Sequence, residues 1–266
     1  VLPLTFKYAD SQAFQGAYGI ENVNKEMDKY IYEQLTRTAI FNARPPLNVN
    51  VVNDNGKNVS YSTRISNLNA VASQYNSQYV VIGTINSMST SKVGDNVITN
   101  FIFVPTRTIN FDVDIYDAIA GEVVFHQNYA AETDWPFAPS EFIDVRSDRF
   151  KSSDYGLRMN ELLANASSDI VKKLQCASAS AKVIDVEGDD IIINLGREHG
   201  LQKGMKFSLE QVDLRHSTVD GDYEIRERGE GLYHVVSVYP RSAKLKPDSL
   251  QDNILNISAN DLVTLQ

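Results

Sequence analysis

The segment at residues 191–209, IIINLGREHGLQKGMKFSL, restricts the possible folds more than any other stretch of this chain. Two apolar runs flank a turn in which Gly196, Gly200 and Gly204 recur at a spacing of four. Glycine is required where the backbone turns sharply, or where a second backbone comes too close for a Cβ. Leu195, Leu201, Met205, Phe207 and Leu209 supply the apolar side. The segment predicts a tight strand pair at the start of a small β-barrel, and it carries no catalytic chemistry.

The neighbouring pattern agrees. Residues 181–186, 190–195, 205–212, 231–238, 242–246 and 262–265 read as short strands between turn signals, the spacing of a compact barrel. Residues 213–230 hold too little apolar surface to pack, which predicts a protruding hairpin or mobile loop around Asp220-Gly221.

Ahead of residue 177 the pattern alternates between helix and strand. Residues 2–8 alternate loosely as a strand, and residues 22–40 place Met27, Tyr30, Ile31, Leu35 and Ala39 at helical spacing before Pro45-Pro46. LNVNVV at 47–52 reads as a half-buried strand, residues 53–56 as a turn, and Ser66 as the N-cap of a helix carrying Leu68, Val71, Ala72 and Tyr75. The continuous apolar run YVVIGTI at 79–85 predicts a central strand covered on both faces. Residues 107–116 and 122–129 form a hairpin with Ile109, Phe111, Val113 and Ile115 on one face. At 155–175, Leu157, Leu162, Ala166, Ile170, Val171 and Leu174 mark one face of a long amphipathic helix. The expected fold class is α+β, with a mixed-sheet domain at 1–177 and a barrel at 178–266 joined through the small-residue stretch ASASA.

Charge and cysteine content narrow the function. A net charge of −9 with scattered Lys and Arg disfavours nucleic acid, and no stretch approaches the roughly 20 apolar residues of a transmembrane segment. Cys176 stands alone, so neither an intrachain disulfide nor a Cys-based metal site can form; at a helix end it reads as buried and structural. The chain begins at Val1, which fits a processed precursor or a trimmed chain, and a targeting peptide is expected ahead of it.

Candidate chemistry is sparse. Four histidines, His126, His199, His216 and His234, are available as bases, yet no nucleophile elbow is present. His126 and His234 lie in alternating strands as packed or edge residues, and His199 reads as a local hydrogen-bonding group beside Gly200. Asp112 and Asp114 share a strand face and could attract a hard cation, but a solvated face opposite Phe111 and Val113 explains them better. Asp185, Glu187, Asp189 and Asp190 surround Gly188 in a hairpin turn and lack the calcium-loop pattern. Gly229-Glu230-Gly231 is a poor phosphate loop because it offers a carboxylate. No catalytic residue, cofactor or metal is expected. Trp135 and Phe137 bracket Pro136 and either plug the core, the preferred reading, or form an exposed anchor. Trp135, Phe137, Arg215, Asp220 and Arg226 are the candidate partner contacts.

An ordered set of motifs links these elements: QYVVIG at 78–83, Tyr116-Asp117-Ala118 with Gly121, Trp135-Pro136-Phe137, Ser147-Asp148-Arg149-Phe150 leading to Tyr155-Gly156, Cys176, and INLG at 193–196 with His199-Gly200-Leu201 and Gly204. In order and spacing they resemble the flagellar assembly protein FlgT family, H-ring components of the basal body. The resemblance spans about residues 51–266 and omits that family's N-terminal part. It implies a middle domain similar to the N-terminal domain of TolB, an SH3-like barrel after it, and export to the periplasm. The partners it implies are the LP ring, the H-ring proteins FlgO and FlgP, and the T-ring proteins MotX and MotY. A non-enzymatic ring scaffold follows as the expected role. The alternative is a periplasmic TolB-like or secretion-accessory protein that binds a lipoprotein, peptide or cell-wall fragment in a deep pocket lined by Tyr and Trp. A hydrolase ranks third and would need His126 or His234 beside Ser, Asp or Glu in a cleft.

Overall fold

The computed structural model describes residues 1–38, 42–49, 53–54, 57–58, 61–75, 77–90, 105–138, 141–175, 177, 179–217, 221–249 and 257–266. The chain divides into two compact units, Val1–Cys176 and Ala177–Gln266. The first is mixed α/β around a mixed sheet; the second is a closed six-stranded barrel.

In the first unit, β1 (Leu2–Pro3) and β2 (Lys7–Tyr8) run parallel to β6 (Tyr79–Ser87), which pairs antiparallel with β7 (Thr106–Asp117), and β7 with β8 (Glu122–Asp134). The expected strand at 2–8 is therefore one edge strand in two pieces. Leu2 faces Val80 but Lys7 faces Thr84, so one extra residue has to be accommodated between them. Two side chains of α2 (Val23–Arg37) hold that break: the Asp28 carboxylate accepts the Phe6 N–H at 2.8 Å, and the Asn24 amide donates to the Phe6 carbonyl at 2.5 Å.

Asp28 has a measurable consequence. Burial pushes its pKa up to about 6, against the opposing pull of the Phe6 N–H and the Thr5 hydroxyl. A carboxyl with a raised folded-state pKa contributes stability that is complete below its unfolded value near 4 and is lost as pH rises through about 6. Chemical denaturation of wild type and Asp28→Asn is expected to differ in slope over that window by on the order of 2 kcal/mol, the variant being the flatter.

Alternation on the sheet separates two cores. Val81 and Ile85 of β6 and Ile109, Phe111, Val113 and Ile115 of β7 face α2 and α5 (Asp154–Gln175). α2 offers Val23, Met27, Ile31 and Leu35, and α5 offers Met159, Leu163, Ala166, Ile170 and Leu174, both at helical spacing. On the opposite face Val80, Ile82 and Tyr116 pack with Leu2, Leu4, Leu68 and Ala72 beneath α3 (Tyr61–Gln74). The central strand is covered on both faces, as its unbroken apolar run requires.

Several local expectations change. The helix at 61–74 begins well before Ser66, which is an exposed interior residue, because Ile65 extends the buried stripe of Leu68 and Ala72 by a turn. Leu47 forms only an isolated parallel bridge to Leu4; Asn50, Val51 and Val52 lie outside the described residues. β4 (Asn53–Asp54) and β5 (Lys57–Asn58) flank the expected turn, whose Asn55 and Gly56 are also outside, as is Cys176. α1 (Ser11–Gly16) is capped by Asp10, and β3 (Ile20–Glu21) pairs parallel with β9 (Ile143–Asp144); neither was expected. A short α4 (Asp148–Lys151), capped by Ser147, precedes α5.

The barrel closes in the order β10 (Ser180–Glu187), β11 (Asp190–Ile193), β14 (Ala243–Pro247), β13 (Gly221–Val238), β12 (Lys206–Ser217) and β15 (Leu262–Leu265), all neighbours antiparallel. Inward residues Ala181, Val183, Ile191, Ile193, Phe207, Leu209, Tyr233, Val235, Leu245 and Val263 fill it. The three glycines of the turn have distinct duties. Gly200 and Gly204 adopt φ of +82° and +88°, while at Gly196 a Cβ would stand 2.5 Å from the Tyr239 carbonyl oxygen.

Candidate functional site: exposed contact surfaces

Trp135 and Phe137 follow directly on β8 and are each 4% exposed. The Trp135 ring meets Phe137 at 4.7 Å and Tyr155 at 5.0 Å, and Phe150 stacks on Phe137. Apolar area of this size is stabilising only out of water, and α4 and α5 supply the cover. The rings therefore plug the core and are withdrawn as partner contacts.

Arg107 is buried beside them at 3% exposure. Its guanidinium donates to the carbonyls of Met88 (2.7 Å), Gly16 (2.8 Å) and Tyr18 (2.9 Å) and lies 4.3 Å over the Trp135 ring. Burial lowers its pKa, while the carbonyls satisfy its donors. The clamp fixes the end of α1 and the turn after it. On that element Phe14 and Tyr18, four residues apart, are 64% and 69% exposed; Tyr18 packs edge-on against Phe142, itself 56% exposed. Phe14 meets Tyr8 at 5.4 Å. Large rings left in water on a fixed backbone mark a contact surface. The signal in the sequence was Phe14 on a short helix capped by Asp10, with Tyr18 in the turn that follows it.

The second surface is the β12–β13 hairpin. Its pairing continues past the barrel from Glu210 opposite Arg228 to Ser217 opposite Gly221, which resolves the two readings of 213–230 in favour of a hairpin. At its root Gly229, Glu230 and Gly231 oppose Leu209 alone, so the GEG triplet is a bulge that bends the strand. Arg215 is exposed and paired with Asp213 at 2.9 Å, and Arg226 is exposed opposite Val212; Asp220 lies outside the described residues. The buried Asp261 pins the root by accepting the N–H groups of Val212 and Ser258, both at 2.8 Å. Asp261→Ala removes the acceptor from two part-buried N–H groups and is expected to cost about 1–3 kcal/mol, with amide exchange accelerating first at Val212. Unchanged exchange at Val212 would remove Asp261 from this role.

His126 is exposed on β8, and His234 is half-buried on β13. His126 Nδ1 lies 2.6 Å from Asp114, which also takes Arg64 at 2.8 Å; Asp114 is thus buried under two partners where a solvated carboxylate was expected. The hydrogen bond to Asp114 raises the His126 pKa. His234 Nδ1 lies 2.7 Å from Asp248, which Lys206 shares. Among the described residues no Ser or Thr hydroxyl bonds either ring. His199 Nδ1 accepts the Gly196 N–H at 3.0 Å, and burial lowers its pKa, keeping the lone pair that the bond needs. No cluster of three metal-ligating side chains occurs among the described residues. An open cavity of about 370 Å³ is lined by Ser87, Thr108, Ile109, Asn110, Ala130 and Ala131, without Tyr or Trp. Among the described residues no helix is long and apolar enough to cross a membrane.

The first unit is mixed α/β with exposed rings, and the second is a closed barrel whose β12–β13 pairing runs on past it. The chain belongs to the flagellar assembly protein T family: the model of that family's middle domain matches residues 8–145. Flagellar assembly, a structural role at the basal body, is the function this membership carries. Comparison with the curated proteins returns no match. Solved structures with similar folds include the hypothetical protein CT253 from Chlamydia trachomatis (16% identity, 64% of this chain and 93% of that one, TM-score 0.40). The PelC dodecamer from Paraburkholderia phytofirmans (10%, 63% and 84%, 0.35) and lipoprotein GNA1162 from Neisseria meningitidis (11%, 65% and 96%, 0.32) are others. Likenesses this distant carry no functional argument.

Proposed function

We propose that the chain is a periplasmic, non-enzymatic scaffold of the flagellar H ring that supports assembly of the outer H ring and of the T ring. On this reading its first unit is related to the N-terminal domain of TolB and its barrel is SH3-like. The observation that carries the proposal is the exposed aromatic group of Phe14, Tyr18 and Phe142, held by the buried Arg107 clamp. Contact area presented on a rigid backbone suits repeated docking in a ring, where many copies raise local concentration. The cavity beside Ser87 offers no dry aromatic pocket for a small ligand, so it does not favour the binding-protein alternative. Arg215 and Arg226 on the hairpin are the proposed polar contacts.

Basal bodies purified from a strain lacking this protein, immunoblotted for MotX, MotY, FlgO and FlgP, test the role. All four are expected to fall sharply and to return on complementation. Retention of all four in the deletion strain would overturn the scaffold.

A further inference from the structure

β8 is the outer strand of the first unit's sheet, thirteen residues long, and pairs with β7 alone among the described residues. The direction of its backbone groups follows from its neighbours. The Thr108 N–H bonds the Ser89 carbonyl on the β6 side, so Ile109 points toward β8 and bonds its partner Ala131; likewise the Trp135 N–H reaches the Pro105 carbonyl. Odd-numbered residues of β8 therefore bond inward, and Asn128, Ala130 and Glu132 turn their peptide groups outward. The Asn128 carbonyl takes the Gln127 side-chain amide at 3.0 Å, and no partner is recorded among the described residues for the peptide groups of Ala130 and Glu132.

Such an edge is normally blunted by lysine, proline or a covering segment. β8 has no Lys, Arg or Pro, and the middle one of its outward residues, Ala130, lines the open cavity with Thr108 and Asn110. The charge on this face is one-sided. Glu132 and Asp134 are exposed on β8 and Asp112 lies on β7, where Asn86 and Asn128 donate to it; the cation Arg64 is engaged by Asp114, which His126 shares. On α5, Lys172 pairs with Asp169 and Arg158 with Glu161.

The geometry points to β8 as a strand-addition site for an extended, basic segment of a partner protein. Main-chain bonds to Ala130 and Glu132 supply the affinity. Lys or Arg side chains on the cavity side reach across Ala130 toward Asp112 and Glu132 and set the selectivity. A second copy of this chain is the wrong occupant: with β8 paired antiparallel to itself over its full length, Glu122 would oppose Asp134 at both ends, with no Lys or Arg on either strand. The site shares no residue with the aromatic group and does not depend on the ring reading.

The test uses the full chain and a labelled ten-residue peptide alternating Lys and Thr. Its Glu-Thr counterpart and a copy N-methylated at alternate amides, unable to bridge a strand edge, serve as controls. The Lys-Thr peptide is expected to bind, to slow amide exchange at Ala130 and Glu132, and to lose at least about tenfold in affinity on N-methylation or on Ala130→Pro. Glu132→Lys with Asp134→Lys should reverse the preference toward the Glu-Thr peptide. Absence of binding, or equal binding of the N-methylated peptide, would overturn the proposal, leaving at most diffuse charge attraction. Concentration-dependent dimerisation abolished by Ala130→Pro would overturn the choice of partner. If Ala130→Pro fails to fold by circular dichroism, the N-methylated peptide and the charge reversal decide the question.

Discussion

Gly156→Ala is expected to destabilise the first unit by about 4 kcal/mol or more, above the 1–3 kcal/mol usual for overpacking. A Cβ at this position would stand 2.1 Å from the Phe150 carbonyl oxygen and 2.9 Å from its carbon. Backbone atoms cannot rotate away as a side chain does. The carbonyl is also committed, accepting the Ser153 hydroxyl at 2.6 Å and the Ser153 N–H at 3.0 Å, while Ser153 Oγ caps Gly156 N–H at 3.1 Å. Moving Phe150 would disturb its ring contacts with Phe137 and Tyr155, and through them Trp135. Hydrogen exchange should therefore show lost protection across α5 and β7, with the barrel amides unchanged. Protection equal to wild type would show that α4 can shift without cost, and the tight α4–α5 junction would no longer explain Tyr155-Gly156.

Gly196→Ala is the counterpart in the barrel, with an expected cost of about 3–4 kcal/mol. There a Cβ would lie 2.5 Å from the Tyr239 oxygen, 2.6 Å from the Ser242 nitrogen and 2.7 Å from the Pro240 oxygen. The same place carries a dense set of bonds. Arg197 N–H reaches the Tyr239 carbonyl at 2.9 Å, Glu198 N–H the Pro240 carbonyl at 3.0 Å, and Gly196 N–H the His199 ring. The methyl would separate the 3₁₀ turn Arg197–His199 from the β13–β14 connection and break these together. Denaturant unfolding followed at the barrel should shift to lower midpoint with an unchanged slope. A midpoint within error of wild type would contradict the close approach.

Periodic elements were legible because their cause is periodic burial. The rows Ile109–Phe111–Val113–Ile115 and Met27–Ile31–Leu35 state which face is covered, and the structure covers those faces. The glycine-spaced turn was legible for a related reason, since only backbone crowding and positive φ demand that residue there. Illegible features came from long-range partners. Ser66 has the composition of a cap, but Ile65 finds cover on the sheet and the helix extends through it. Glu122 to Asp134 continues five residues beyond the expected end of its strand because β7 offers a partner throughout. Arg107 lay on the apolar row of β7, which was visible in the sequence; that three carbonyls from other elements would satisfy it was not. Of the candidate contacts, Arg215 and Arg226 stand on the hairpin, whereas Trp135 and Phe137 are buried as the preferred core reading had it; they were kept as contacts as well because a loop aromatic looks the same in sequence whether or not a helix covers it.

Electron cryotomography of basal bodies in cells lacking this protein tests the central claim most directly. The account predicts loss of the outer ring density and of the T ring outside an intact LP ring, with both restored by the wild-type gene. Complete rings in the deletion strain would contradict it.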